Sequence, residues 1–80
     1  MIKTYKVKLN EVSRLQQFAN RCVGFDQVSL TGKRGKFVVN AKSVMGLFSF
    51  DLAEPVTIEA EADSEAELEA FDKWVTDFSV

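Results

Sequence analysis

The sequence predicts an open-faced α/β sandwich (an α+β fold) with element order β-α-β-β-α-β-α, its helices layered on one side of an antiparallel sheet. Three observations carry this. Leu15, Phe18, Ala19 and Cys22, and later Leu68, Phe71, Trp74, Val75 and Phe78, recur at helical spacing, so each set forms a single apolar stripe on a helix. Residues 5–9 and 56–63 instead alternate apolar and polar, the period of a strand with one buried face. Between them, two short β-type runs flank a glycine-rich turn, the pattern of a hairpin. Elements with one apolar face each must share one interface, and helices on one side of an antiparallel sheet provide it.

Taken in order, Tyr5, Val7 and Leu9 alternate with Lys6 and Lys8 to make the first strand. Asn10-Glu11-Val12 reads as a connection. Ser13-Arg14-Leu15-Gln16 then reads as a capping box opening a helix that runs to about Val23 and stops at Gly24. Val28 and Leu30 mark the second strand, Gly32-Lys33-Arg34-Gly35 the turn, and Phe37-Val38-Val39 the returning strand. Residues 42–50 form a short helical segment opened by Ser43, and Pro55 precedes the last strand, 56–63. Ser64-Glu65-Ala66-Glu67 is a second capping box, and its acidic first turn suits the start of the C-terminal helix.

Composition excludes much chemistry. The chain has 80 residues, read as one domain over 1–80, and such a length buries about 60–65% of its unfolded surface. It contains no histidine, so no Ser-His or Cys-His pair, no imidazole metal ligand and no phosphohistidine can form. The lone Cys22 makes neither an internal disulfide nor a structural zinc site and fits a reducing compartment. Neither a Walker A motif nor a GxGxxG run is present. Residues 1–8 carry alternating charges without an apolar core, unlike a signal peptide. No apolar run reaches the roughly 18–20 residues that span a bilayer. The expectation is a cytoplasmic protein that is not an enzyme, with no catalytic residue, cofactor or metal, and no membrane or small-molecule partner.

Charge is uneven. Residues 1–42 hold nine Lys/Arg and two Asp/Glu, whereas residues 43–80 hold one and ten. A nucleic-acid surface would need aromatics among the basic residues, and the net charge is −2. Cross-strand pairing of Lys6 and Lys8 with Glu59 and Glu61 accounts for the pattern more simply, so no nucleic-acid partner is expected.

The stretch 41–50, Ala-Lys-Ser-Val-Met-Gly-Leu-Phe-Ser-Phe, is the most informative. So short a helix does not need five large apolar side chains. Some must anchor it, and Met45 with Leu47 or Phe48 is the candidate for an exposed docking patch. Ser43 reads as an N-cap, and a phosphate on it would stand at a helix start.

Lys42-Ser43-Val44-Met45-Gly46, following a hairpin and a Val-Val-Asn strand, resembles the Lys-Ser-Ile-Met-Gly segment of HPr, the histidine-containing phosphocarrier of the bacterial sugar phosphotransferase system. Element order and length match along the whole chain, as does the run from Val56 to Ala62 before an acidic, alanine-rich helix start. The resemblance implies a four-stranded antiparallel sheet of order 1-4-2-3 covered by three helices. It implies that Ser43 is the counterpart of the family's regulatory serine, which HPr kinase phosphorylates, and that Met45, Leu47 and Phe48 fall on the family's protein-docking surface. Where the family has Gly-Ile-His-Ala-Arg-Pro, this chain has Val12-Ser13-Arg14-Leu15-Gln16-Gln17. Ser13 and Arg14 lie nearest the lost histidine, and Arg14 is a weak stand-in for the family's active-site arginine.

The functional expectation is a regulatory or protein-binding module lacking the histidine, with HPr kinase or a transcriptional regulator among its partners. The alternative is a structural or complex-forming subunit with no phosphotransferase role. Incubation with Enzyme I and phosphoenolpyruvate is expected to leave the chain unmodified, and acid-labile phosphate on the purified protein would contradict this.

Overall fold

A computed structural model describes residues 1–50 and 53–79. The elements are β1 (Ile2–Val7), α1 (Val12–Val23), β2 (Val28–Arg34), β3 (Phe37–Asn40), α2 (Val44–Phe48), β4 (Val56–Ala62) and α3 (Glu65–Val75), with a closing 3-10 turn, Thr76–Phe78. The strands form one antiparallel sheet of order β1-β4-β2-β3.

Strand β4 is one of the two inner strands, and its residues alternate between the faces of the sheet. Val56, Ile58, Ala60 and Ala62 are buried, while Thr57, Glu59 and Glu61 point to the open face. Onto the buried face come Leu15, Phe18, Ala19 and Cys22 of α1, Leu47 of α2, and Leu68, Phe71 and Val75 of α3. Aromatic rings join the layers. Phe18 stacks on Trp74 at 5.4 Å and meets Phe78 edge-on at 5.3 Å, while Phe71 takes the edges of Tyr5 at 5.5 Å and Phe25 at 5.2 Å. Such pairs add about 0.5–1.5 kcal/mol each beyond area burial. Tyr5 also donates its hydroxyl to Asp72 at 2.8 Å, tying β1 to α3. Burial first, and the Asp72 carboxylate second, raise the tyrosine pKa above its usual range.

Several boundaries differ from the sequence reading for identifiable reasons. The first strand covers residues 2–7, not 5–9: its ladder runs from Ile2 opposite Glu61 to Val7 opposite Val56, the first residue of β4. Leu9 is buried nonetheless, as a loop residue. Helix α1 begins at Val12 with Glu11 in the cap position, and Ser13 makes no capping bond. At Ser64 the cap position is right, but its side chain makes no capping bond either. The hairpin turn is Gly35-Lys36, with Gly35 at φ 58, the glycine-first form of a two-residue turn. Gly32 lies inside β2 instead, where an added Cβ would stand 3.3 Å from both Leu47 and Val39. Lys6 faces Thr57, and Lys8 lies beyond the strand. Glu59 takes its cation from β2, with Lys33 at 2.9 Å.

Cys22 is fully buried, and burial pushes its thiol pKa up to about 12, slightly offset by Lys42. Thiol reagents are therefore expected to label it only on unfolding. An unfolded thiol ionises from about pH 8.5. The unfolded chain thus loses this proton first, and stability should fall as pH rises from there towards 12. A Cys22→Ala variant should lose part of that alkaline dependence; an unchanged profile together with fast labelling of the native protein would contradict the assignment.

Candidate functional site

Helix α2 is set up by its first residue. Ser43 is extended (φ −103, ψ 115), and its Oγ accepts a hydrogen bond from the Gly46 N–H at 3.1 Å. Its carbonyl accepts from the Leu47 N–H at 3.1 Å, closing the first turn. A cap of this kind contributes about 1 kcal/mol. Gly46 lets the helix approach β3, since a Cβ there would stand 3.3 Å from Val39 and 3.4 Å from Ser43. At the other end, Ser49 Oγ donates to the Gly46 carbonyl at 2.6 Å.

The apolar residues around this helix divide sharply. Ala41, Leu47 and Phe50 are buried and Val44 is half-buried, so these hold α2 against the core. Met45 is 84% exposed and Phe48 42% exposed. Of the three candidate docking residues, Leu47 is thus corrected to the core. Its side chain meets the floor of β2 at Gly32, while Met45 and Phe48 are presented outward.

Ser43 itself is half-buried, five residues before Phe48. Lys42 does not attend it. Its backbone N–H donates to Asn40 Oδ1 at 2.9 Å, and its ammonium donates to the Phe25 carbonyl at 3.0 Å.

At the start of α1, Ser13 is exposed. Arg14 is occupied structurally: its guanidinium donates to the Lys8 carbonyl and to the Asp77 carbonyl at 3.0 Å, and lies 4.6 Å above the Phe78 ring centre. It staples the connection after β1 to the C-terminal turn, and Lys8 N–H reinforces this by donating to the Phe78 carbonyl at 2.8 Å. Lys8 is six positions away, but Asp77 and Phe78 are more than sixty, so no local pattern announced the contact with the C-terminal turn.

Phe37 and Val38 were not singled out from the sequence, yet they are 70% and 61% exposed on β3. The available signal was an apolar strand with no charged residue within it. Among the described residues no polar side chain is buried, and no group of His, Cys, Asp and Glu is placed to hold a metal. No described helix is long and apolar enough to cross a membrane.

Comparisons with known proteins agree with the architecture. No protein-family model and no curated protein matches the sequence. Among solved structures, HPr-C-His from Thermoanaerobacter tengcongensis superposes with a TM-score of 0.68 at 22% identity, over 95% of this chain and 88% of that one. The phosphocarrier protein HPr from Bacillus anthracis str. Ames matches at 31% identity with a TM-score of 0.50, over 88% of this chain and 89% of that one.

The division within α2 gives a stability test. Met45→Glu should change unfolding free energy by no more than about 0.5 kcal/mol, as for other surface changes. Leu47→Ala should cost about 2–5 kcal/mol. Denaturant melts of the two variants check this, and equal losses would place Met45 in the core.

Proposed function

This chain belongs to the HPr fold family, and we propose that it serves there as a regulatory, protein-binding module of the cytoplasm and not as a phosphocarrier. The observation that carries this reading is the pairing, on one short helix, of an outward apolar pair with a serine cap, in a chain that has no histidine. Met45 and Phe48 supply the contact. Methionine suits such a surface because its unbranched, polarizable side chain adapts to differently shaped partners. The partner class is a protein of the phosphotransferase network, such as HPr kinase or a transcriptional regulator.

Ser43 is the control point of this proposal. Its oxygen already accepts from the first turn of α2, and an ester phosphate there would bring about −1.5 to −2 charges and three acceptor oxygens to the same N–H groups. The helix has five residues and little dipole, so local hydrogen bonding rather than the macrodipole accommodates the charge. The charge would then stand beside Met45 and Phe48 and change which partner docks, with the fold left intact. A serine phosphate is too stable an ester to be relayed onward, so the modification regulates and does not carry.

Reaction with HPr kinase, followed by phosphosite mapping, tests this. Phosphate is expected on Ser43 and on no other serine, absent in Ser43→Ala, and the phosphoprotein should melt no lower than the unmodified protein. If wild type stays unmodified while authentic HPr is phosphorylated in the same assay, Ser43 is a helix cap without a regulatory role.

A further inference from the structure

The two edges of the sheet are treated differently. Strand β1 carries Lys3 and Lys6, and its far end is bridged by Ser79 opposite Val7. Charges and cover of this kind keep an edge from pairing with another chain. Strand β3, Phe37-Val38-Val39-Asn40, carries no charged residue and has no further strand on its outer side among the described residues.

Its free hydrogen-bonding groups can be identified. Ala41 N–H donates to the Leu30 carbonyl at 3.0 Å, and bonded pairs alternate along an antiparallel ladder. Val39 opposite Gly32 and Phe37 opposite Arg34 therefore bond inward. Val38 and Asn40 turn their N–H groups outward, as does the Val38 carbonyl. The Asn40 carbonyl already accepts from Ser43 N–H at 3.0 Å. Phe37 and Val38 lie on opposite faces of the strand, so an added strand would find an apolar neighbour on each side.

Charge says what kind of strand fits. Residues 27–50 contain four Lys/Arg and no Asp or Glu. Glu59 and Glu54 neutralise Lys33 and Arg34. Lys36 and Lys42, at the two ends of β3, pair with no carboxylate among the described residues; the Lys42 ammonium is held by the neutral Phe25 carbonyl, which leaves its charge uncompensated. Shallow grooves flank the strand, one along Ser29, Thr31, Val38 and Lys42, the other along Lys36, Phe37, Ser49 and Phe50. A second copy paired edge to edge would bring two basic segments together, which is unfavourable.

We propose that the outer edge of β3 is a strand-addition site for an extended segment of a partner protein, apolar at its centre and acidic at both ends. Main-chain bonds to Val38 and Asn40 would give affinity, Phe37 and Val38 the apolar contact, and Lys36 and Lys42 the selection for acid. This surface is separate from the exposed pair on α2 and stands independently of the role assigned to Ser43.

The probe is a capped peptide with a Val-Thr-Val-Thr centre and glutamates at both ends, compared with one carrying lysines instead. NMR titration should show saturable binding of the acidic peptide, with the Val38 and Asn40 amides shifted and slowed in hydrogen exchange. The lysine peptide should bind at least about tenfold more weakly. Val38→Pro removes an outward donor and no ladder bond, so it should abolish binding while the spectrum stays folded. Lys36→Glu, which leaves the strand intact, should weaken the acidic peptide and favour the basic one. The proposal is overturned if the acidic peptide fails to bind, if both peptides bind alike, or if the shifts map away from β3. A concentration-dependent dimer lost in Val38→Pro would likewise overturn it, because a second copy would then be the occupant.

Discussion

A sheet covered on one face alone governs this molecule. The described residues form one hydrophobic cluster, and every helix contributes to it from the same side. The ring contacts that link Phe18, Phe71, Trp74 and Phe78 hold α1, α3 and the C-terminal turn together over β4. The interior is then filled by apolar side chains, and recognition is left to the surface: the outer side of α2, the start of α1, and the sheet edges. Of these, α2 is the smallest element. It is held by Leu47, Phe50 and a serine cap, which is why so small a helix can present Met45 and Phe48 to solvent.

The sequence was most legible where one physical rule acted alone. Strict alternation in 56–62 and the apolar stripe from Leu68 to Val75 became the central strand and its covering helix. Ser43 was a true cap, but Ser13 and Ser64 satisfied the same local pattern without making the bond. At Ser13 the difference is tertiary, because Arg14, drawn onto the Lys8 and Asp77 carbonyls, sets the entry of α1. Glycine was ambiguous in a similar way. Gly32 and Gly35 both suit a turn, and only the close approach of Leu47 and Val39 explains why Gly32 belongs to the strand.

The candidate site was half legible. An excess of apolar residues over residues 41–50 marked a surface, but it could not say which side chains anchor and which remain outside. That division depends on the direction from which α2 meets β2 and β3. Local signals carry nothing about that direction, nor about which strands end up at the edges of the sheet. The same gap hid Phe37 and Val38, whose exposure follows from the position of β3 at the end of the order β1-β4-β2-β3.

All of this rests on α2 keeping Leu47 inside and Met45 and Phe48 outside. Solvent paramagnetic relaxation measured on side-chain protons reads that division in the unmodified protein. The account predicts strong broadening of the Met45 methyl and the Phe48 ring, with the Leu47 methyl signals protected like those of Ile58. Equal protection of all three residues, or a broadened Leu47 beside a protected Met45, would contradict it.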